Sequence, residues 1–308
     1  MKRFYIAVIL FMLPIFVFMG GAECFVRRQP NIYKYKNDWM EQYAEEVETL
    51  IVGNSFAMYG IIPDSIGRNS FNLAFGGEPL KYDHFLFFKW SNRYKDLKMV
   101  IHSVAYDSFY QGCSDFVVDD IQETTYKLYM GCPNHSDFSS YSFESRHSKV
   151  FFEKLIRNMT DKYDYSEAYR GWQCGAEFSA ELTPTFDREN KKYARNQTVI
   201  SYEDAENNVK LLEEELSFCV KHNVCFVLIS PPHWKNWNTL LSPRQIKKNR
   251  ELIQNLQKKY SFVYFDYRED KRFVESDFSD RMHLTRSGAE KFSKILVTDI
   301  QIENSQIK

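Results

Sequence analysis

The sequence predicts an α/β fold: a five-stranded parallel sheet covered by helices on both faces. Two observations carry that expectation. Short apolar runs of buried-strand character recur along the chain, and segments of helical period lie between them. Strands that alternate with helices imply right-handed crossovers and parallel pairing. No internal repeat points to a solenoid or propeller instead.

The elements follow in order. Residues 23–46 are polar and aromatic and read as a linker leading into a helix. Val47-Glu-Thr-Leu-Ile-Val-Gly53 is the first strand, and Asn69-Ser-Phe-Asn-Leu-Ala-Phe75 the second, closed by Gly76-Gly77. Lys81 to Arg93 has helical spacing, and Leu97 to Val104 is the third strand. From about residue 107 to 200 the period is lost, apart from a helix near Ser148–Met159. A stretch of that length inside a compact domain reads as an insertion on the functional face. Order returns with an amphipathic helix from Tyr202 to His222, which sets Val209, Leu212, Leu216 and Val220 on one side. Val224 to Ser230 is the fourth strand, stopped by Pro231-Pro232. Ser242 to Tyr260 is a helix, Phe262 to Asp266 the fifth strand, and Thr285 to Ile300 the closing helix.

The N-terminus differs in kind. After Met1-Lys2-Arg3, Phe4 to Ala22 carries no charge. As a helix these nineteen residues would span about 28 Å at about 1.5 Å each, close to the apolar thickness of a bilayer. The basic start places the N-terminus in the cytoplasm and the rest of the chain outside it. An uncleaved anchor is the preferred reading. A cleaved signal peptide is the alternative, with Met19-Gly20-Gly21-Ala22 supplying small residues. Lipidation at Cys24 is disfavoured by Glu23. The expected division is therefore an anchor or signal segment at 1–26, then one domain at 27–308 with its insertion at about 107–200.

Net charge is −1, so composition advertises neither a nucleic-acid partner nor an acidic-substrate groove. Aromatic content is 17%, which serves core packing first and aromatic-walled clefts second. Six cysteines suit an oxidising compartment, with Cys113 and Cys132 the first candidate pair and Cys174 an alternative partner. No CxxC or Cys/His ligand spacing is present, so neither a metal nor a cofactor is expected. Asn134, Asn158 and Asn196 begin Asn-x-Ser/Thr sequons, which matter only in a eukaryotic source.

In a parallel α/β sheet, functional groups gather where loops leave the carboxyl ends of the strands. Gly53-Asn54-Ser55 follows the first strand, Asn72 to Gly77 follows the second, and Asp280-Arg-Met-His283 precedes the last helix. A serine hydroxyl becomes a nucleophile when an imidazole takes its proton and an acid orients that imidazole. Donors for the resulting oxyanion are expected from the backbone amide of Ser55 and a glycine-rich turn.

These blocks resemble the SGNH (GDSL-like) hydrolase superfamily, over about two-thirds of the chain. Gly53-Asn54-Ser55 matches its Gly-Asp-Ser block, Asn72-Leu-Ala-Phe-Gly76-Gly77 its Asn…Gly block, and Asp280 to His283, continuing to Gly288-Ala289, its closing Asp-x-x-His. The resemblance implies a three-layer, flavodoxin-like fold, with Ser55 as nucleophile, His283 as base, Asp280 as acid and Gly77 as oxyanion donor. One block departs: Val104-Ala105-Tyr106-Asp107 stands where the family has Gly-x-Asn-Asp, so the usual side-chain donor is missing. Asn54 is the substitute donor; an uncompensated loss would slow hydrolysis by about two to three orders of magnitude.

His102, within a strand, reads as a core histidine. His233 and Trp234, in Pro231-Pro-His-Trp-Lys-Asn-Trp237, fall on the same sheet edge as Ser55 and are substrate-lining candidates. The two tryptophans read either as a sugar platform or as a loop packing on its own core. Asp107 either lines the site or caps the next turn.

The missing donor, the anchor and the insertion together are similar to exported SGNH-like proteins of polysaccharide acylation, the D-alanine transfer and alginate-acetylation types. Those proteins work beside a membrane-bound O-acyltransferase. The expectation is an exported, membrane-anchored serine acyltransferase or esterase, acting on acyl (O-acetyl) groups of a cell-envelope polysaccharide. The alternative is a degenerate SGNH module that binds glycan or the acyltransferase without catalysis.

Overall fold

The structure, a computed structural model, describes residues 1–111, 120–132, 143–160, 169–173, 188, 191–192, 194–195, 198 and 203–306. In chain order its elements are α1 (Lys2–Arg28), α2 (Ile32–Tyr43), β1 (Thr49–Gly53), α3 (Ser55–Gly60), α4 (Pro63–Ile66), β2 (Ser70–Asn72), α5 (Leu80–Lys89), β3 (Met99–Ser103), α6 (Asp120–Thr125), α7 (Ser148–Thr160), α8 (Glu203–Lys221), β4 (Cys225–Ser230), α9 (Lys235–Asn238), α10 (Pro243–Lys259), β5 (Val263–Asp266) and α11 (Arg286–Gln306). They fall into two compact units, Met1–Asp38 with Val117–Ser166, and Trp39–Phe116 with Glu167–Lys308.

In the first unit, α1 is long and apolar enough to cross a membrane, and its large side chains from Phe4 to Phe18 stand exposed. At about 1.5 Å per residue it is roughly 40 Å long. The helix does not stop where the uncharged run stops. Its last two turns turn apolar and acidic groups inward: Ala22 and Val26 pack on Phe151 and Leu155 of α7. Glu23 accepts hydrogen bonds from the N–H groups of Glu144 (2.8 Å) and Ser145 (3.0 Å) and pairs with Arg27 at 2.7 Å. A buried carboxylate thereby finds donors and a counter-charge, as burial requires. Part of the stretch expected as an insertion on the functional face thus belongs to this unit.

The second unit carries one five-stranded sheet in the order β2-β1-β3-β4-β5, every neighbouring pair parallel. β1 is buried at all five positions, which is why Leu50-Ile51-Val52 runs apolar without alternating. Ile51, Ile101, Val227 and Ile229 form one core with Phe292 and Leu296 of α11, which packs on α3 and α4. Phe87 and Phe88 of α5 meet Phe218 of α8 edge-to-face, with centroids 5.2 and 5.8 Å apart. Lys259 of α10 pairs with Glu213 of α8 at 2.6 Å.

β2 is shorter than its apolar run suggests. It ends at Asn72, although the N–H groups of Leu73 and Phe75 still reach the carbonyls of Ile51 (2.7 Å) and Gly53 (3.1 Å). Trp172, from the aperiodic stretch, donates its indole N–H to the Tyr59 carbonyl (2.9 Å) and joins the core. Cys24, Cys219 and Cys225 are free thiols. Cys113 and Cys174, the partners considered for Cys132, lie outside the described residues, as do Asn134 and Asn196.

Candidate active site

The strand order reverses direction between β1 and β3, and in a doubly wound sheet that reversal opens a crevice at the carboxyl edge. Ser55 stands at this point, two residues beyond the end of β1 and directly after Asn54. Gly53 makes the exit feasible. Its φ is +126°, and a Cβ there would lie 2.6 Å from the Ser103 carbonyl oxygen on β3. Only glycine tolerates both the backbone conformation and the close approach.

Asn54 caps α3: its Oδ1 accepts the Phe56 N–H at 3.2 Å, while its Nδ2 donates to Ser108 Oγ at 3.4 Å. Ser108 Oγ also accepts the Ala105 N–H at 2.9 Å. The loop that departs from the Gly-x-Asn-Asp pattern is therefore tied to Asn54 through Ser108. The Ser55 N–H lies in the first turn of α3, where an amide has no intrahelical acceptor.

Asn72 fixes α3 from the other side. Fully buried, it donates from Nδ2 to the carbonyls of Ala57 (2.8 Å) and Ile61 (2.9 Å) and accepts the Ala74 N–H at Oδ1 (3.1 Å). The turn beyond contains Gly77 at φ +62°, followed by buried Glu78, whose Oε2 accepts the Phe75 N–H at 2.9 Å. Phe75 N–H is shared with the Gly53 carbonyl, so the Gly76-Gly77 turn is pinned beside the exit from β1.

The third component comes from the loop before α11. The Thr285 N–H donates to the Asp277 carbonyl (2.9 Å) and the Ser279 N–H to the His283 carbonyl (2.9 Å), closing the loop on itself. Asp280 Oδ1 accepts the N–H groups of Met282 and His283, both at 2.7 Å, and Oδ2 faces His283 Nδ1 at 2.8 Å. His283 Nε2 lies 2.8 Å from Ser55 Oγ, across 228 residues of sequence.

These partners fix the tautomer. An ionised carboxylate only accepts, so Nδ1 carries the proton and Nε2 offers its lone pair to the Ser55 hydroxyl. Burial pushes the Asp280 carboxyl up, but His283 and the two backbone N–H groups outweigh it and hold the carboxyl below its usual range. Phe56 and Tyr59 wall the imidazole, with ring centroids 5.3 and 5.5 Å away.

Of the remaining candidates, His233 is buried and lies with its ring 5.0 Å from that of Phe56. Its Nδ1 faces Asn238 Oδ1 at 3.2 Å, and the Asn238 amide is oriented by donating to the Arg268 carbonyl. Burial, with Arg268 and His283 nearby, lowers its pKa to about 4. Trp234 donates its backbone N–H to the Arg281 carbonyl (3.1 Å), joining the loop after β4 to the loop of His283. Both line a cavity of about 540 Å³. Trp237 is instead sealed beneath Tyr106 and Leu241, so one tryptophan of the two faces the cavity and the other is core. Asp107 is buried at the head of the turn Ser108–Tyr110, where its carboxylate accepts from Gln111 (3.0 Å); it does not line that cavity.

Sequence reasoning missed a buried ionic cluster under α5 and α8. His102 is fully buried, its Nδ1 2.8 Å from Glu215 Oε2 and its Nε2 3.7 Å from Asp83 Oδ2. Burial opposes the imidazolium, but Glu215 and Asp83 outweigh it and raise the His102 pKa to about 10. Burial pushes the Asp83 carboxyl up. Three polar residues inside otherwise amphipathic helices and a strand were the available signal.

Fold and site together define an α/β protein whose parallel sheet presents a serine, a histidine and an aspartate in one hydrogen-bonded chain. No protein-family model matches the sequence, and no curated protein matches it.

Proposed function

We propose that this chain is an SGNH-type serine acyl-transfer enzyme that forms an acyl-Ser55 intermediate. The observation that supports it is the unbroken chain from Ser55 Oγ through His283 to Asp280, with 2.8 Å at each link. Ser55 Oγ attacks the carbonyl carbon of an O-acyl ester as its proton passes to His283 Nε2. The imidazolium, steadied by Asp280, returns that proton to the leaving alcohol. In the second half, a sugar hydroxyl or water gives its proton to His283 and attacks the acyl carbon, and the imidazolium hands that proton to Ser55 Oγ as the ester bond to the serine breaks. The oxyanion is held by the N–H groups of Ser55 and Gly77, with Asn54 offering the second of its two Nδ2 hydrogens, the first being held by Ser108.

The substrate class is an acylated, chiefly O-acetylated, cell-envelope polysaccharide, and a membrane-bound O-acyltransferase is the fitting donor partner. The N-terminal helix anchors the chain with this domain outside the cytoplasm, in keeping with Lys2 and Arg3 at its start. Packing of Ala22, Glu23 and Val26 within the first unit favours retention over cleavage.

One observation favours a second reading, a module that binds glycan or the acyltransferase without catalysis. The loop at Val104–Asp107 contributes no side-chain amide, and the Asn54 carboxamide is engaged by Ser108 and Phe56.

Hydrolysis of an aryl acetate by purified protein decides between them. Asp280→Asn is expected to lower kcat on the order of 10⁴-fold, because an amide cannot hold the same imidazole tautomer. Activity within tenfold of wild type in a folded Asp280→Asn variant would count against the mechanism. The acid side follows from the same carboxyl. Its folded pKa is depressed, so its stabilisation of the loop is intact above about pH 4, the unfolded value. That contribution fades as pH falls through the lower folded value, which a pH series of melts on wild type and Asp280→Asn would trace.

A further inference from the structure

The cavity lined by His233 and Trp234 has features that the acyl-enzyme chemistry does not use. His233 Nε2 and Trp234 Nε1 are buried and find no hydrogen-bond partner among the described residues. Because Asn238 Oδ1 takes the Nδ1 proton of His233, Nε2 is left as an acceptor, while the indole N–H is a donor. A buried acceptor and a buried donor left open each cost free energy unless a ligand supplies both a donor and an acceptor. An alcohol does so, since a hydroxyl donates and accepts at once.

The walls narrow the ligand further. Trp234 and Phe273 give the cavity aromatic surface. Its charged lining is balanced, with Lys235, Arg268 and Lys271 against Glu269, Asp270 and Glu275. Two of these charges are already neutralised, Arg268 by Asp266 and Asp270 by Arg272, each at 2.6 Å. With burial keeping His233 uncharged, little net field remains to attract a polyanion. The volume, about 540 Å³, lies within the range of small-molecule sites. A second hollow of about 300 Å³ shares Asn238, Arg268, Glu269 and Asp270 with it as a common wall.

The position relates the cavity to the reactive serine. Phe56, the residue after Ser55, touches both imidazoles, 5.0 Å from His233 and 5.3 Å from His283. Trp234 is tied by its backbone to the loop that carries His283.

We infer that this cavity is the acceptor subsite, taking an uncharged sugar that packs against Trp234 and Phe273 and whose hydroxyls meet Trp234 Nε1 and His233 Nε2. The inference rests on the acyl-transfer reading for its purpose, but sugar binding can be measured without turnover. In the full-length Ser55→Ala protein, neutral methyl hexosides and cello-oligosaccharides are titrated by saturation-transfer NMR, with polygalacturonate as the anionic counterpart. Neutral sugars are expected to bind. Trp234→Phe, which keeps the ring and removes the donor, and His233→Phe, which removes the acceptor, should each weaken binding about tenfold, and Trp234→Ala should abolish it. No neutral-sugar binding, preference for the polyanion, or affinity unchanged in folded Trp234→Phe and His233→Phe would overturn the subsite. Failure of Ser55 to react with a serine-directed phosphonate in the wild type would instead overturn the enzyme reading, whatever the sugars do.

Discussion

Ser55→Ala is expected to lower ester hydrolysis on the order of 10⁴- to 10⁶-fold, with no comparable loss of stability. The hydroxyl donates to His283 Nε2, and its removal leaves Asn54, the α3 cap and the Asp280–His283 contact in place. His283→Ala should cost about as much, because the serine is a poor nucleophile without a proton acceptor. The double variant should be no slower than the worse single one, since groups that act as a unit do not contribute additively. A rate that falls multiplicatively in the double variant would mean that the two residues act separately.

His102→Leu should produce the largest loss of stability. It would leave Glu215 buried without its imidazolium, and Asp83 beside it. Breaking a buried pair by removing one partner costs about 3–5 kcal/mol, or a fall in Tm of roughly 6–20 °C for a unit of this size. The pH dependence separates this from a simple packing defect. The His102 pKa is raised to about 10 above an unfolded value of about 6.5, so its contribution is fully present below about pH 6.5 and is lost as pH rises through about 10. The gap in Tm between wild type and His102→Leu should therefore shrink across that range, whereas a cavity penalty would persist. Pairing His102→Leu with Glu215→Met should restore much of the stability, because a buried ion pair is often replaceable by apolar packing.

The two cases mark how far the sequence could be read. Runs such as Leu50-Ile51-Val52 and Phe226 to Ile229 are apolar because both faces of a parallel sheet are covered, and that environment is local enough to leave its mark. The Asp280 to His283 spacing was legible for the same reason, since one short loop contains both partners. What stayed hidden depends on distant chain segments. The burial of His102 with Asp83 and Glu215 draws on β3, α5 and α8, and nothing in any one of those segments announces the others. β2 was read too long because Asn72 turns its side chain to α3, ending the strand while Leu73 and Phe75 continue to bond β1 on one side. α3 was missed because Phe56-Ala-Met-Tyr-Gly60 is too short to establish a period. The aperiodic stretch also hid Trp172, whose neighbour Gly171 approaches the Asn72 carbonyl so closely that no side chain fits there.

Reaction of the purified, folded protein with a fluorophosphonate, followed by mass mapping of the adduct, reads the Ser55 nucleophile directly. One adduct is expected, on the peptide carrying Ser55, absent from Ser55→Ala and strongly reduced in His283→Ala. No adduct on folded wild-type protein, or an adduct that persists in Ser55→Ala, would contradict that assignment.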